Sequence, residues 1–205
     1  MAGPDVMNAH RAQPDERSQA VSALCGAFFD DRIYRWVVPD DARRRRSATV
    51  FYSRLVEACW IHGGVYVAGA GAGAALWVPP DRTLVPAEKA EAFNGELIDS
   101  AGDAASSARM AQLFAMLDDN HPADPCWHLL FMGVEPDAQG RGIGGSLLAA
   151  VLPQADREEA PAYLEASCPE NERLYERHGF ETQRELTVAD SPVIYAMWRV
   201  PSGSR

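Results

Sequence analysis

Long apolar stretches are missing from this chain. Nowhere do about 18–20 apolar residues follow one another, the length a membrane-spanning helix needs, and the best candidate, Gly64 to Val78, is broken by glycines into two short pieces. The segment Met1 to Gln19 is polar and does not read as a secretory leader. No membrane partner is expected, and the location is expected to be cytoplasmic. Cysteine is scarce as well: Cys25, Cys59, Cys126 and Cys168 stand tens of residues apart, with no C-x-x-C pair and no histidine at zinc-finger spacing. Neither a disulfide framework nor a metal site is indicated. Positive charge is the third shortage. Nineteen Lys and Arg against 29 Asp and Glu give a net charge of -10, a field that repels phosphate backbones, so nucleic acid is not an expected partner. The one basic run, Arg43 to Arg46, leads into Val50, Phe51, Arg54, Leu55 and Ala58 at helical spacing and reads as a solvated helix start, with anion binding as the alternative.

What is present suits one domain over 1–205, with an N-terminal half of about 1–125 and a core of about 126–200. The chain is 47% hydrophobic and 23% charged, which is apolar enough for a core and far from disordered compositions. Val21, Leu24, Cys25 and Phe28 predict an amphipathic helix over Pro14 to Phe29, and a second is predicted from about Ala42 to His62, stopped by Gly63-Gly64. Between them, Asp30 to Asp41 reads as an ordered loop rich in aromatics. Val65–Ala68 and Ala74–Val78 form an expected hairpin ended by Pro79-Pro80, and two helices follow between Pro86 and Asn120, ended by His121-Pro122. Trp127 to Val134 reads as a strand buried on both faces. A helix over Ser146 to Leu152, a strand over Ala162 to Ala166, a short helix over Glu170 to His178 and two terminal strands, Phe180–Val188 and Val193–Val200, complete the order.

The most informative stretch lies between the buried strand and the helix after it: Gln139, Gly140, Arg141, Gly142, Ile143, Gly144, Gly145. Without Cβ atoms, such a segment can turn successive backbone N–H groups toward one anion, and the helix start adds unpaired donors. A Walker loop would need a lysine before Ser146, and there is none. Gly140, Gly142 and Gly145 do spell G-x-G-x-x-G, with Glu165 twenty residues beyond. However, Glu135 to Gln139 separate the strand from the first glycine, and too little chain remains for further βαβ units. A dinucleotide-binding oxidoreductase is therefore the weaker alternative, and a helix-capping loop without a ligand is the other.

Val134-x-Pro136-x-x-Gln139-Gly140-x-Gly142-x-Gly144, followed by Asn171-x-x-x-Tyr175-Glu176-Arg177-x-Gly179-Phe180, resembles the signature of the GNAT acetyltransferase superfamily. The resemblance is best over Trp127 to Phe180. Ala27-Phe28, Ala74–Pro79 with Trp77, His121-Pro122-x-x-Pro125-x-Trp127 and Leu164-Glu165-Ala166-Ser167 also resemble the puromycin N-acetyltransferase subgroup. It implies an α+β fold with a mixed, mostly antiparallel sheet flanked by helices and splayed between its fourth and fifth strands. It further implies acetyl-CoA as cosubstrate: backbone at Met132 and Val134 along the pantetheine arm, residues Gln139 to Gly145 around the pyrophosphate, and Asn171 on the pantetheine. A strand bulge with an oxyanion-donating N–H is expected near Met132 or Gly133.

Acetyl transfer from a thioester to an amine needs a neutral amine, a donor for the oxyanion and a proton for the departing thiolate. Tyr175 is the candidate acid, Glu165 the candidate base and His128 its second, though each also has a packing or ion-pair reading. Phe28, Tyr34, Trp36, Trp77 and Trp127 are candidate walls for the acceptor. The expected function is acetylation of the primary amine of a small molecule, an antibiotic or aminoacyl nucleoside among them, by direct attack in a ternary complex. The alternative is a non-catalytic acetyl-CoA sensor of the same fold. Either is compatible with a homodimer.

Overall fold

The structure is a computed structural model that describes residues 8–203. The polar segment read from Met1 onward lies in part outside the described residues. Strand β1 (His10–Arg11) leads through a 3-10 turn to α1 (Arg17–Phe28), α2 (Arg32–Val37) and α3 (Asp41–Trp60). The hairpin β2 (Val65–Ala68) and β3 (Gly73–Val78) precedes α4 (Ala87–Asp99) and α5 (Ala104–Asn120). The second half runs β4 (Trp127–Val134), α6 (Ile143–Ala149), α7 (Leu152–Arg157), β5 (Ala162–Ala166), α8 (Pro169–Glu176), β6 (Glu181–Leu186) and β7 (Ile194–Arg199).

All seven strands form one sheet in the order β1-β2-β3-β4-β5-β7-β6, with β4 and β5 its one parallel pair among the described residues. That order does not build the doubly wound parallel sheet of a dinucleotide-binding domain. The α1 to α5 side covers one face with Leu24, Phe51, Tyr52, Leu55 and Leu97. The other face carries Trp77, Trp127, Leu129, Ile143, Leu147, Leu148 and Phe180. Among the described residues no helix is long and apolar enough to cross a membrane.

Three local expectations change. Asp30 to Asp41 is not a loop throughout, because Asp31 caps α2 by accepting from the N–H groups of Ile33 (2.9 Å) and Tyr34 (3.0 Å). Six helical residues are too few to show a period. The helix expected over Ser146 to Leu152 starts earlier and breaks after Ala149, where Pro153 in the first turn of α7 offers no N–H to continue the ladder. The basic run is not wholly solvated either. Arg44 is 1% exposed and donates to the carbonyls of Phe29 (2.7 Å), Val38 (2.8 Å) and Pro39 (3.0 Å) and to Asp41, pinning the α1–α2–α3 junction.

Candidate active site

The site begins where two neighbouring strands part. β4 pairs with β5 at Trp127↔Ala162, His128↔Tyr163 and Leu129↔Leu164, and then no further. On its other edge β4 stays paired with β3 to Val134, but the register steps from Trp77↔Leu129 to Leu76↔Phe131, leaving Leu130 without a partner. This is a β-bulge. It falls on Leu130 rather than near Met132 or Gly133, and it turns Leu130 and Phe131 to the same, helix-covered face. The middle of β4 is consequently half-exposed, not buried on both faces as expected, since the strands open beside it.

The backbone register fixes which amides face the opening. The N–H of Glu135 donates to the carbonyl of Ala72 at 2.8 Å. Antiparallel alternation then points the N–H of Gly133 at β3 and those of Met132 and Val134 into the gap that β5 has left. Gly133 is thereby excluded as an oxyanion donor, and Met132 is retained. Gly133 instead allows close packing: a Cβ there would lie 2.5 Å from the Ala27 Cβ and 3.1 Å from the Phe28 ring. Its absence lets α1 press onto β4 and sets Phe28 edge-on to Phe131, ring centroids 5.4 Å apart.

Beyond Val134 the chain turns into the glycine loop. The Gln139 side chain donates to the Val134 carbonyl at 3.1 Å, its N–H to Pro136 at 3.3 Å, and Arg141 donates to the Asp137 carbonyl at 2.8 Å. These contacts brace the loop, and so Gln139 and Arg141 shape the cradle with their side chains. Gly140 (φ 75°) and Gly142 (φ 83°) are left-handed, which glycine alone adopts at little cost. Among the described residues no protein acceptor takes the N–H groups of 140–145, and a Cβ on Gly140 or Gly142 would stand in open space. The loop thus edges a cavity of about 440 Å³ that Met132, Val134, Gly144, Asn171 and Tyr175 also line. Backbone N–H groups without a protein acceptor at the edge of an open cleft fit an anion such as a pyrophosphate.

A narrower cavity of about 130 Å³ shares Met132, Asn171 and Tyr175 with that cleft and continues past Phe28, Tyr52 and Phe131 to Glu165. Asn171 and Tyr175, four apart on α8, present one helical face to it. Tyr175 is 6% exposed, and burial, with a smaller contribution from Cys168, pushes its phenol well above the usual tyrosine value. The phenol therefore stays protonated and available as a donor. At the far end of this cavity the Ser167 hydroxyl donates to Asp31 at 2.5 Å, tying the α1–α2 turn to the end of β5.

Glu165 stands where this cavity meets a third, of about 330 Å³, lined by Phe51, Leu97, Phe114, Leu130, Phe131 and His128 beneath α3, α4 and α5. Because His128 pairs with Tyr163, Glu165 lies one side-chain step further along the same face. His128 Nε2 is 3.1 Å from Glu165 Oε2, and His121 Nε2 is 3.3 Å from His128 Nδ1. The Tyr163 hydroxyl, buried and without a hydrogen bond of good geometry, stands beside the carboxylate. Burial alone would raise the Glu165 carboxyl. The charge and hydrogen bond of His128, with help from Tyr163 and His121, outweigh it, and the net direction is down.

The structure thus brings together Tyr175, Glu165, His128, Met132, Asn171, Phe28 and Tyr34 around the splay. It places three candidate walls elsewhere. Trp77 and Trp127 pack edge to face, centroids 6.4 Å apart, in the core on the opposite side of the sheet, and Trp36 is half-buried against the helix-side core, lining none of these three cavities, its indole donating to Asp190 at 2.9 Å. The walls that sequence reasoning missed are Phe51, Tyr52, Phe114 and Phe131. They come from long helices and a bulged strand, where periodicity marks a residue as apolar without saying what it faces.

Residues 103–182 match the protein family described as an acetyltransferase (GNAT) domain. Over that stretch the chain is similar to a GNAT acetyltransferase domain. That family uses acetyl-CoA as cosubstrate, and the loop cradle, Met132, Val134, Asn171 and Tyr175 are the residues here that would hold it. An uncharacterized N-acetyltransferase of Schizosaccharomyces pombe is 26% identical over 199 residues, covering 88% of this chain and 76% of that protein. Among solved structures, a histone acetyltransferase HPA2 and related acetyltransferase from Corynebacterium glutamicum aligns with a TM-score of 0.71 at 24% identity, over 95% of this chain and 96% of that chain. A polyamine N-acetyltransferase of Drosophila melanogaster, described as forming N-acetylagmatine, aligns at 0.61 and 14% identity over 93% and 97%. The likeness to the puromycin subgroup finds no counterpart among these relatives.

Proposed function

We propose that this acetyltransferase moves an acetyl group from acetyl-CoA to the primary amine of a small molecule with an apolar body, by direct attack in a ternary complex. The observation that carries the reading is the placement of two proton-handling groups at opposite ends of one narrow cavity: Tyr175 on the side of the glycine loop and Glu165 on the side of the aromatic groove. Acetyl-CoA supplies the acyl group as a thioester. The lowered carboxylate of Glu165, held by His128, removes a proton from the incoming ammonium, and the Met132 N–H faces the gap in which the carbonyl oxygen gains charge. Tyr175, kept protonated by burial, gives its proton to the thiolate as the carbon–sulfur bond breaks. Direct transfer is also favoured by the thiols. Burial raises Cys25 and Cys168 above the ordinary cysteine value, Cys126 to about 11 and Cys59 to about 12, so none is poised as a nucleophile.

The acceptor groove sets the class of amine. Phe51, Leu97, Phe114, Leu130 and Phe131 offer apolar walls, with Glu165 at the inner end for an ammonium. Helices α3 to α5 enclose this side, which suits a small molecule better than an extended peptide. The named activity of the Drosophila relative, on a small amine, is in line with this reading. The test is release of free thiol from acetyl-CoA with a panel of phenylalkylamines, agmatine, puromycin and a lysine-containing peptide. A small amine should give the highest kcat/KM, and a preference for the peptide would overturn the reading.

A further inference from the structure

We propose that His121 is the outer end of a two-histidine relay that carries the amine's proton from Glu165 to solvent. The proposal rests on Glu165 as the base in the preceding reading. His121 is the C-cap of α5. Its Nδ1 is 3.0 Å from the Pro122 carbonyl, its Nε2 is 3.3 Å from His128 Nδ1, and His128 Nε2 is 3.1 Å from Glu165 Oε2. Ring packing keeps this line in place: the two imidazoles are 5.0 Å apart, and both lie on Tyr163, at 5.4 and 5.3 Å. His121 lines the acceptor groove on one side and, on the other, an outer groove with Asp119, Asp124 and Arg184.

Counting hydrogens shows what the line is for. A carbonyl only accepts, so His121 Nδ1 must carry a hydrogen. The two nitrogens of the middle contact need one hydrogen between them, and the contact with Glu165 needs another. Three hydrogens fill the three contacts, yet two neutral imidazoles and a carboxylate own two. The third is the proton that the base collects. With that proton on Glu165, its O–H donates to His128 Nε2, His128 Nδ1–H donates to His121 Nε2, and His121 Nδ1–H donates to Pro122. Transfer of the first onto His128 and the second onto His121 moves the surplus charge outward with no heavy-atom movement, and His121 then loses a proton to water. One ammonium N–H bond is broken and water gains one proton; Glu165 ends as a carboxylate and both imidazoles end neutral.

Charged and titratable groups surround the line on every side. Asp118 and Asp119 face it from the end of α5, Asp124 and Cys126 from the approach to β4, Tyr163 and Glu165 from β5, and Arg184 from β6. Arg184 is the one cation of this group, and it is engaged by Asn120 at 3.0 Å.

His121→Phe keeps the ring against His128 and Tyr163 but holds no proton, and His121→Ala opens space for a small base. With acetyl-CoA and the best amine of the panel, both variants should lose about 10- to 100-fold in kcat/KM near pH 7, with KM for acetyl-CoA unchanged. Added imidazole should restore His121→Ala in proportion to its concentration, which a purely structural role would not produce. A second readout needs no acceptor: nitrogen NMR of the imidazoles should show His121 and His128 titrating together, with the His128 transition altered in His121→Phe. Two independent titrations, each unchanged when the other ring is replaced, would overturn the relay, as would active variants with the wild-type pH profile and no response to imidazole. If no amine is turned over, the substrate reading fails while the ring titrations still decide the relay.

Discussion

Replacing Gly142 by valine should weaken acetyl-CoA binding by orders of magnitude while leaving the fold in place, and the two effects can be worked out separately. Gly142 sits at φ +83°, and an added Cβ meets no heavy atom within 4 Å. The fold therefore suffers no clash, only the conformational cost of an L-residue in the left-handed region, about 1–2 kcal/mol. For a chain of this length that is a fall in melting temperature of roughly 2–8 °C. The ligand side is affected more. Either valine stays left-handed and its branches stand in the open space before the loop, or it relaxes to negative φ and turns the neighbouring N–H groups away. Each hydrogen bond to a charged group is worth about 1.5–3 kcal/mol. Losing two costs about 3–6 kcal/mol, or roughly 10²- to 10⁴-fold in Kd. Calorimetry with CoA, beside a thermal melt, measures both. Gly95, whose added Cβ likewise meets nothing within 4 Å, lies in α4 away from the loop and serves as the control. Unchanged affinity in a folded Gly142→Val protein would place the pyrophosphate elsewhere.

Tyr175→Phe should leave CoA affinity within a few-fold and lower kcat about 10- to 1000-fold, the effect of losing a positioned proton donor; full turnover would assign the residue to packing against Phe180, whose ring centroid is 5.9 Å away. Glu165→Gln should lower kcat/KM about 10²- to 10⁴-fold, and an unaffected rate would move the base elsewhere. Since the Glu165 carboxyl is held below its usual value in the fold, its ionised form adds stability above about pH 4.3, the unfolded value, and that contribution is lost as pH falls through the lowered value. The stability difference between wild type and Glu165→Gln should accordingly shrink as the pH falls below that value, as acid melts would show.

The parts of this site that are written locally were legible, and those made by distant pairings were not. Gln139 to Gly145 stand out as a candidate anion cradle because the requirement for glycine is local: positive φ at Gly140 and Gly142 and no Cβ in the approach. Asn171 and Tyr175 are also local, one helical turn apart. The partnership of His128 and Glu165 depends on a parallel register 37 residues away in sequence, and the residues alone name two candidates without showing that they touch. In the sequence His121 stands out as a helix stop and as part of the stretch His121-Pro122-x-x-Pro125-x-Trp127, with no chemical role attached.

The tryptophans show where residue type misleads. Trp77 and Trp127 offer the broad flat surface of an indole, yet the pleat sends them to the opposite face, where they stabilise the sheet beneath α6 and α7. Periodicity gives the two faces of a strand without saying which one holds the ligand, and at Leu130 the alternation itself breaks. Without the bulge, Phe131 would share a face with Trp127 and Leu129. With it, Phe131 joins Phe28, Phe51 and Tyr52 along the narrow cavity beside the splay. One unpaired residue thus supplies an aromatic wall to the substrate side and, just beyond it, a backbone whose free N–H groups at Met132 and Val134 face the opening. A local break in sheet pairing is what sets the glycine-loop cleft and the aromatic groove side by side.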